Sequence, residues 1–329
     1  MNRKGSNMTK RTLLVFALIC SLATWASAQS KTAAAPAQLT FANPQAAADA
    51  LTKATADYDQ AALLQIFGPD GKDFIESADA VQDKNRAEAF AELAKAKIEA
   101  KLDVSDPNVA RIVVGDEDWP FPVPLVKKNG KWAFDSKAGR TEILFRRIGA
   151  NELDAIQVCR GYVEAQKEYA QTIHDDSGIN QYAQKIISTP GKQDGLYWRN
   201  ADGTSDGPIG EAVAKAIEEG YSSKAEPYHG YYFKILKGQG PAAPNGAIDY
   251  VIQGVMIGGF ALIAAPAEYR ITGVKTFIVN QDGIVYQKDL GPNTLEIAKK
   301  IEVYNPDKTW QVTDDQWPES VDVAAAGSQ

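Results

Sequence analysis

Apolar positions recur along this chain with two different periods, and the places where the period changes divide it. After Asn43-Pro44, a cap followed by a first-turn proline, Ala47, Leu51, Ala54 and Tyr58 recur at helical spacing and predict a first helix. Residues 60–67 predict a short second helix stopped by Gly68-Pro69. A third is predicted over 83–100, with Ala87, Phe90, Leu93, Ala94 and Ile98 on one face and Glu and Lys on the other. The period then shortens. Residues 110–114, 121–127 and 131–135 predict strands, the last two joined by the Asn129-Gly130 hairpin signal. Pro120, Pro122 and Pro124 lack ladder donors and predict that the middle strand lies at an edge.

A second α+β domain is expected to open at 138–148 and continue as a long helix over 152–173. Leu153, Ile156, Cys159, Val163 and Ala170 recur there at threes and fours, between charged residues. The bed for that face is the densest apolar stretch of the chain, residues 228–291. In it, 231–236, 249–255, 260–264, 274–280 and 283–287 are β-branched or aromatic runs separated by Gly, Pro and Asn, and they predict an antiparallel meander. Asp282-Gly283 supplies the turn between the last two. A helix on a meander gives a two-layer α+β domain. Between helix and sheet lie a glycine-rich excursion over 194–207 and a helix over 209–219. A short helix over 294–300 follows, then a segment whose Trp310 and Trp317 pack back, and a disordered tail over 319–329. The expected division is a leader over 1–28, a spacer over 29–40, one domain over 41–137 and another over 138–318.

Composition changes the picture at the ends. Residues 1–28 carry Arg3, Lys4, Lys10 and Arg11, then an apolar run of about 14 residues, then Ala26-Ser27-Ala28. That is the form of an export signal cleaved after Ala28, and the run is short of the roughly 20 residues that span a bilayer. Removing it takes away four of 35 basic residues and no acidic ones, so 31 face 42 and the net charge moves from −7 to −11. Such a surface disfavours nucleic acid and anionic lipid. The expected location is periplasmic or secreted, with no integral membrane segment after leader removal. Cys159 is then the one cysteine, and its place on an apolar helix face predicts burial.

Reactive constellations are scarce. The histidines are His174 and His229, neither in a metal-ligand spacing, and no metal or cofactor is expected. His174-Asp175-Asp176 reads as a solvated helix end, with a divalent ion as the alternative. Asn200, Asp202 and Asp206 fail the calcium-loop pattern and read as turn residues. No G-x-S-x-G elbow, phosphate loop or dinucleotide fingerprint is present, and no catalytic residue is assigned. The candidates to face a ligand are His229, Tyr228, Tyr231, Tyr197 and Trp198, which line a groove for a peptide or glycan unless they form the core of a tyrosine-rich sheet.

Several segments carry a family resemblance: GLYW (195–198), YHGYYFKIL (228–236), GGFALIAAPAEY (258–269), TGVKTFIVNQDGIVYQKDLG (272–291), YNPD (304–307), FGPDG (67–71), WPFPVPLVK (119–127) and RRIGANELDAI (146–156). Together they resemble the bacterial proteins grouped as domain of unknown function 2950, from about residue 41 to 310. That resemblance implies no reaction and no cofactor. By element order, the first domain is similar to the cone of the nuclear-transport-factor-like superfamily, and the second to the globular half of type IV pilins and pseudopilins, without their polymerising helix. The expected function is an exported, non-enzymatic cell-envelope binding or scaffolding protein whose partner is a protein, peptide or glycan. Two alternatives stay open. One is a periplasmic hydrolase or isomerase with two or more carboxylates in a pocket of the N-terminal cone; the other is an accessory of a pilus or secretion system.

Overall fold

The first helices form where their local signals place them. The structure, a computed structural model, describes residues 38–174, 177–218, 221 and 226–314. The leader with its Ala28 site, Trp317 and the expected tail lie outside these residues. Asn43 accepts from the Ala46 amide at 2.8 Å and opens α1 (Pro44–Ala56). The second helix, α2 (Gln60–Phe67), ends at Gly68, whose φ of 70° favours glycine. One 3₁₀ turn and a short helix, α3 (Lys72–Ile75), lead to Asp79, which caps α4 (Ala80–Ala96). Gln38, within the expected spacer, donates through Nε2 to the carbonyls of Ile66, Phe67 and Phe134.

The first sheet corrects two expectations. The predicted third helix stops at Ala96, and Ile98–Leu102 becomes strand β1, since Ile98 pairs with Val114 and packs on the apolar core. The sheet continues with β2 (Val109–Val114), β3 (Trp119–Pro120), β4 (Leu125–Lys128) and β5 (Lys131–Phe134), in the order β1-β2-β4-β5, with β3 also on β2. The strand expected over 121–127 is therefore broken rather than placed at an edge. Pro122 and Pro124 interrupt the ladder, and β4 beyond them lies between β2 and β5. Asn129 and Gly130 turn tightly between β4 and β5 with φ of 52° and 76°.

Asp135 then caps a 34-residue helix, α5 (Ser136–Tyr169), about 51 Å long. It begins well before the expected residue 152 and ends before 173, so the stretch over 138–148 is part of one continuous rod. Its first half packs Ile143 and Leu144 on the N-terminal cluster of Leu51, Phe67, Ile112 and Phe134. Its second half sends Ile156, Cys159, Tyr162 and Val163 into the C-terminal cluster. Leu153, expected on the buried face, is exposed.

That second cluster surrounds an antiparallel meander of β6 (Tyr231–Leu236), β7 (Ala261–Pro266), β8 (Lys275–Asn280), β9 (Tyr286–Asp289) and β10 (Gln311–Val312), each paired with the next. Before it, α6 (Gly210–Glu218) forms as expected; after β9 comes α7 (Thr294–Lys300). α5 lies on β7 and β8, and α7 on β7. Every residue of β7 is buried, so both faces of the sheet are covered there, which a two-layer domain does not require. The run over 249–255 stays out of the sheet. Ile248–Asp249 pairs with Gly238–Gln239, and Val251–Ile252 with Val255–Met256, because Tyr250 turns into the core and its hydroxyl donates to Gln239 at 2.8 Å. At the Asp282-Gly283 turn only Gly283 has positive φ, and β9 starts at Tyr286 rather than 283. No described helix is long and apolar enough to cross a membrane.

Two glycines of α5 give a paired test of this packing. A Cβ on Gly139 meets the Val123 backbone at 2.6 Å, whereas one on Gly149 meets nothing within 4 Å. In urea unfolding, Gly139→Ala is expected to cost about 1–3 kcal/mol. Gly149→Ala is expected to stabilise by about 0.5–1 kcal/mol, as for any open helix interior. Equal effects at the two positions contradict the close approach of α5 to the first sheet.

Candidate functional site

The N-terminal half encloses a cleft of about 280 Å³ between its helices, its sheet and the start of α5. Phe67, Phe74, Phe90, Trp119 and Phe121 are among its walls. Three arginines and one carboxylate join them: Arg86, Arg146, Arg147 and Asp83. Asp83 and Arg86 lie one turn apart on α4 and so share a face, while Arg147 reaches across from α5.

The carboxylate is fully engaged. Asp83 accepts from the Ser77 amide at 2.5 Å, the Ser77 hydroxyl at 3.0 Å and Arg147 Nη2 at 3.2 Å. Burial pushes its pKa above the usual carboxylate value, against the Arg147 charge and the Ser77 donors that pull it down. Arg147 also donates to the carbonyls of Asp73 and Phe74 at 3.0 and 2.6 Å. Its buried Nε has no partner among the described residues. Arg86 has a neutral partner, donating from Nη2 to Asn151 Oδ1 at 2.6 Å. Burial first and the Arg147 charge second lower its pKa. At the mouth Arg146 pairs with Glu142 at 2.7 Å and lies 4.9 Å over the Trp119 ring.

These groups continue into a polar seam between the two apolar clusters. Asn151 passes the contact on, donating from Nδ2 to the Thr272 carbonyl at 2.8 Å. Buried Asp79 accepts from the Tyr221 hydroxyl at 2.9 Å and from the Gly230 amide at 2.8 Å. Gly230 has a φ of 76°, and a Cβ there meets Asn151 Nδ2 at 2.5 Å, so the entry to β6 needs glycine. Next to it, His229 takes a φ of 48° and its Nδ1 lies 2.7 Å from Asp154 Oδ2. Its ring stacks on Tyr228 at 4.2 Å.

The five ligand-facing candidates fall in three places. Tyr228 and His229 are half-buried at the seam. Tyr231 is wholly buried in the sheet core, its hydroxyl donating to the Lys275 carbonyl at 2.9 Å. Tyr197 and Trp198 are buried beneath a second cleft of about 650 Å³, walled by the loop over 187–193 and by Arg199 to Ala201. There the Tyr197 hydroxyl and Ser205 Oγ lie 2.9 Å apart, and Trp198 Nε1 and Ser188 Oγ have no partner among the described residues. His174 stacks on Tyr169 at 4.0 Å; Asp175 and Asp176 lie outside the described residues. Among the described residues no three His, Cys, Asp or Glu side chains gather as metal ligands. Asp202 accepts from the Thr204 amide and hydroxyl at 2.9 and 2.6 Å, as a turn residue does. Cys159 is wholly buried, which pushes its thiol up to about 12.

The residues that sequence reasoning missed are Asp79, Asp83, Arg86 and Arg147. A signal existed in α5, where Arg147, Asn151 and Asp154 recur at four and three and form a polar stripe beside the apolar positions Ile148, Ala155 and Ile156.

One ion pair beside the second cleft has a pH signature. Desolvation raises the Asp194 carboxyl, but the Lys185 ammonium at 2.7 Å and the Thr189 amide and hydroxyl hold it down to about 2. A folded value below the unfolded 3.8 gives stability that is present above about pH 4 and lost as pH falls towards 2. The pair is half exposed and solvent screens it, so Asp194→Asn is expected to cost no more than about 1 kcal/mol at pH 7, shrinking towards zero at pH 2 in urea titrations. A cost independent of pH contradicts the assignment.

No curated protein and no solved structure matches the chain, so the likenesses to pilin globular domains and to the nuclear-transport-factor-like cone stand on element order alone. One family model does match, over residues 38–313. The chain belongs to that family, described as protein of unknown function (DUF2950).

Proposed function

We propose that this protein is an exported component of the cell envelope that binds a small, largely apolar ligand in its N-terminal cleft and does not transform it. The observation that carries the reading is the cleft's lining. Aromatic and aliphatic walls with a few convergent polar groups are the usual make-up of a small-molecule site. Acid–base chemistry on a bound molecule needs a group free to exchange a proton with it, and hydrolysis by paired carboxylates needs two. The lining has one carboxylate, Asp83, already engaged by Arg147 and Ser77, and no histidine or cysteine. Export is supported by the basic, apolar and small-residue sequence of residues 1–28.

The cleft is tested with small neutral aromatics, using toluene and indole in ligand-observed NMR. Saturable binding is expected, with the probe recovered unchanged, and Ala87→Trp, which fills the cleft from α4, is expected to weaken it at least tenfold while the unfolding midpoint stays close to wild type. Binding that never saturates, or that survives Ala87→Trp, contradicts the reading. In a Gram-negative host the mature chain is expected in the periplasmic fraction, beginning at Gln29; an intact leader in the cytoplasm contradicts export.

A further inference from the structure

The cleft is apolar in its walls and positive in its polar groups, and the excess has a definite place. Of its three arginines, Arg146 is paired with Glu142 and Arg147 with Asp83. Arg86 has no carboxylate within ion-pair distance among the described residues, and its one hydrogen bond goes to the neutral amide of Asn151. A guanidinium offers five N–H groups in a planar fork, and among the described residues one protein acceptor, Asn151, meets that of Arg86. A second observation is independent of this. Arg147 is 6% exposed and lines the same cleft, and its Nε meets no acceptor among the described residues. Asp83 and Asp79 attract Arg86 from beyond ion-pair distance, but a half-buried guanidinium without a direct carboxylate partner is costly in a site walled by phenylalanines, and an incoming anion offsets that cost.

We propose that the cleft's ligand is a small monocarboxylic acid whose carboxylate is gripped by Arg86 and whose aromatic or short alkyl tail lies among Phe67, Phe90, Trp119 and Phe121. This rests on the binding function proposed above and names the class of ligand for that site. Planar fork geometry suits a carboxylate, which takes two parallel N–H donors from one guanidinium. Volume sets the length. At about 30 Å³ per water-sized group, the cleft of about 280 Å³ holds roughly ten non-hydrogen atoms. An acyl chain of phospholipid length is too large, and inorganic anions leave the aromatic walls unused. The ring-lined interior favours an arylalkanoic acid.

The test compares two probes of nearly equal shape, 3-phenylpropionate and neutral 3-phenylpropan-1-ol, by isothermal titration at pH 7 against the whole mature chain. The acid is expected to bind at least tenfold more tightly than the alcohol. Arg86→Met is expected to bring the acid down to the alcohol's affinity while the alcohol's own affinity stays within about twofold, which also reports an intact cleft. Should Arg86→Met lose alcohol binding, Arg86→Gln replaces it, with the same expectation. An acid that binds no better than the alcohol, or as well to the variant as to wild type, overturns the carboxylate assignment and leaves the apolar cleft standing. Failure of both probes on wild-type protein overturns the cleft as a binding site and this inference with it.

Discussion

The contact on which the rest depends is Arg147 reaching from α5 to Asp83 at the start of α4. Both side chains are almost wholly buried, and both complete their coordination with backbone groups, the Asp73 and Phe74 carbonyls on one side and the Ser77 amide on the other. A buried ion pair adds little net stability over an apolar one of the same shape, but breaking it strands a charge. Its effect here is therefore on position. It fixes the azimuth of α5 against the N-terminal helices, and since α5 is one uninterrupted rod it also fixes the face that Ile156, Cys159 and Val163 present to the meander.

The same constraint explains why the site sits where it does. A helix shared by two apolar clusters must cross from one to the other, and at the crossing its side chains meet backbone ends: the cap of α4, the entry to β6 and the Thr272 turn. Those ends carry amides and carbonyls that need partners. Asp79 satisfies the α4 cap and the Gly230 amide together, and Asn151 satisfies Thr272 while holding Arg86. Polar groups are thus concentrated next to an aromatic cleft for structural reasons. Arg86 is the group there whose donors the fold's own backbone ends do not take up among the described residues, and the proposed carboxylate ligand is argued from it.

Much of the fold was legible in the sequence, for local reasons. α1 and α2 open on the side-chain caps of Asn43 and Asp59, α2 stops at Gly68 and α7 follows Gly291-Pro292, and β6, β7 and β8 are apolar or β-branched runs between turn residues, so each carries limits within a few positions. The failures share a cause, which is long-range pairing. The stretch over 138–148, expected to open a second domain ahead of the long helix, is the first half of α5, where Gly139 admits the Val123 backbone. Residues 249–255 carry the β-branched and aromatic side chains of a strand, but the loop folds on itself around Tyr250. In the site, Tyr228 and His229 were legible as unusual residues at a strand entrance. Asp83 and Arg86 were not, because on an amphipathic helix a charge that faces a cleft reads like one that faces solvent.

Native-state hydrogen exchange along α5 tests most directly the claim that one rod, pinned by the seam, makes the two clusters a single cooperative unit. Amides over 140–150, beside the N-terminal cluster, and over 155–165, beside the meander, should exchange with the same free energy and the same denaturant dependence, that of global unfolding. Exchange of the first group through a separate opening of lower free energy, with the second still protected, would contradict it.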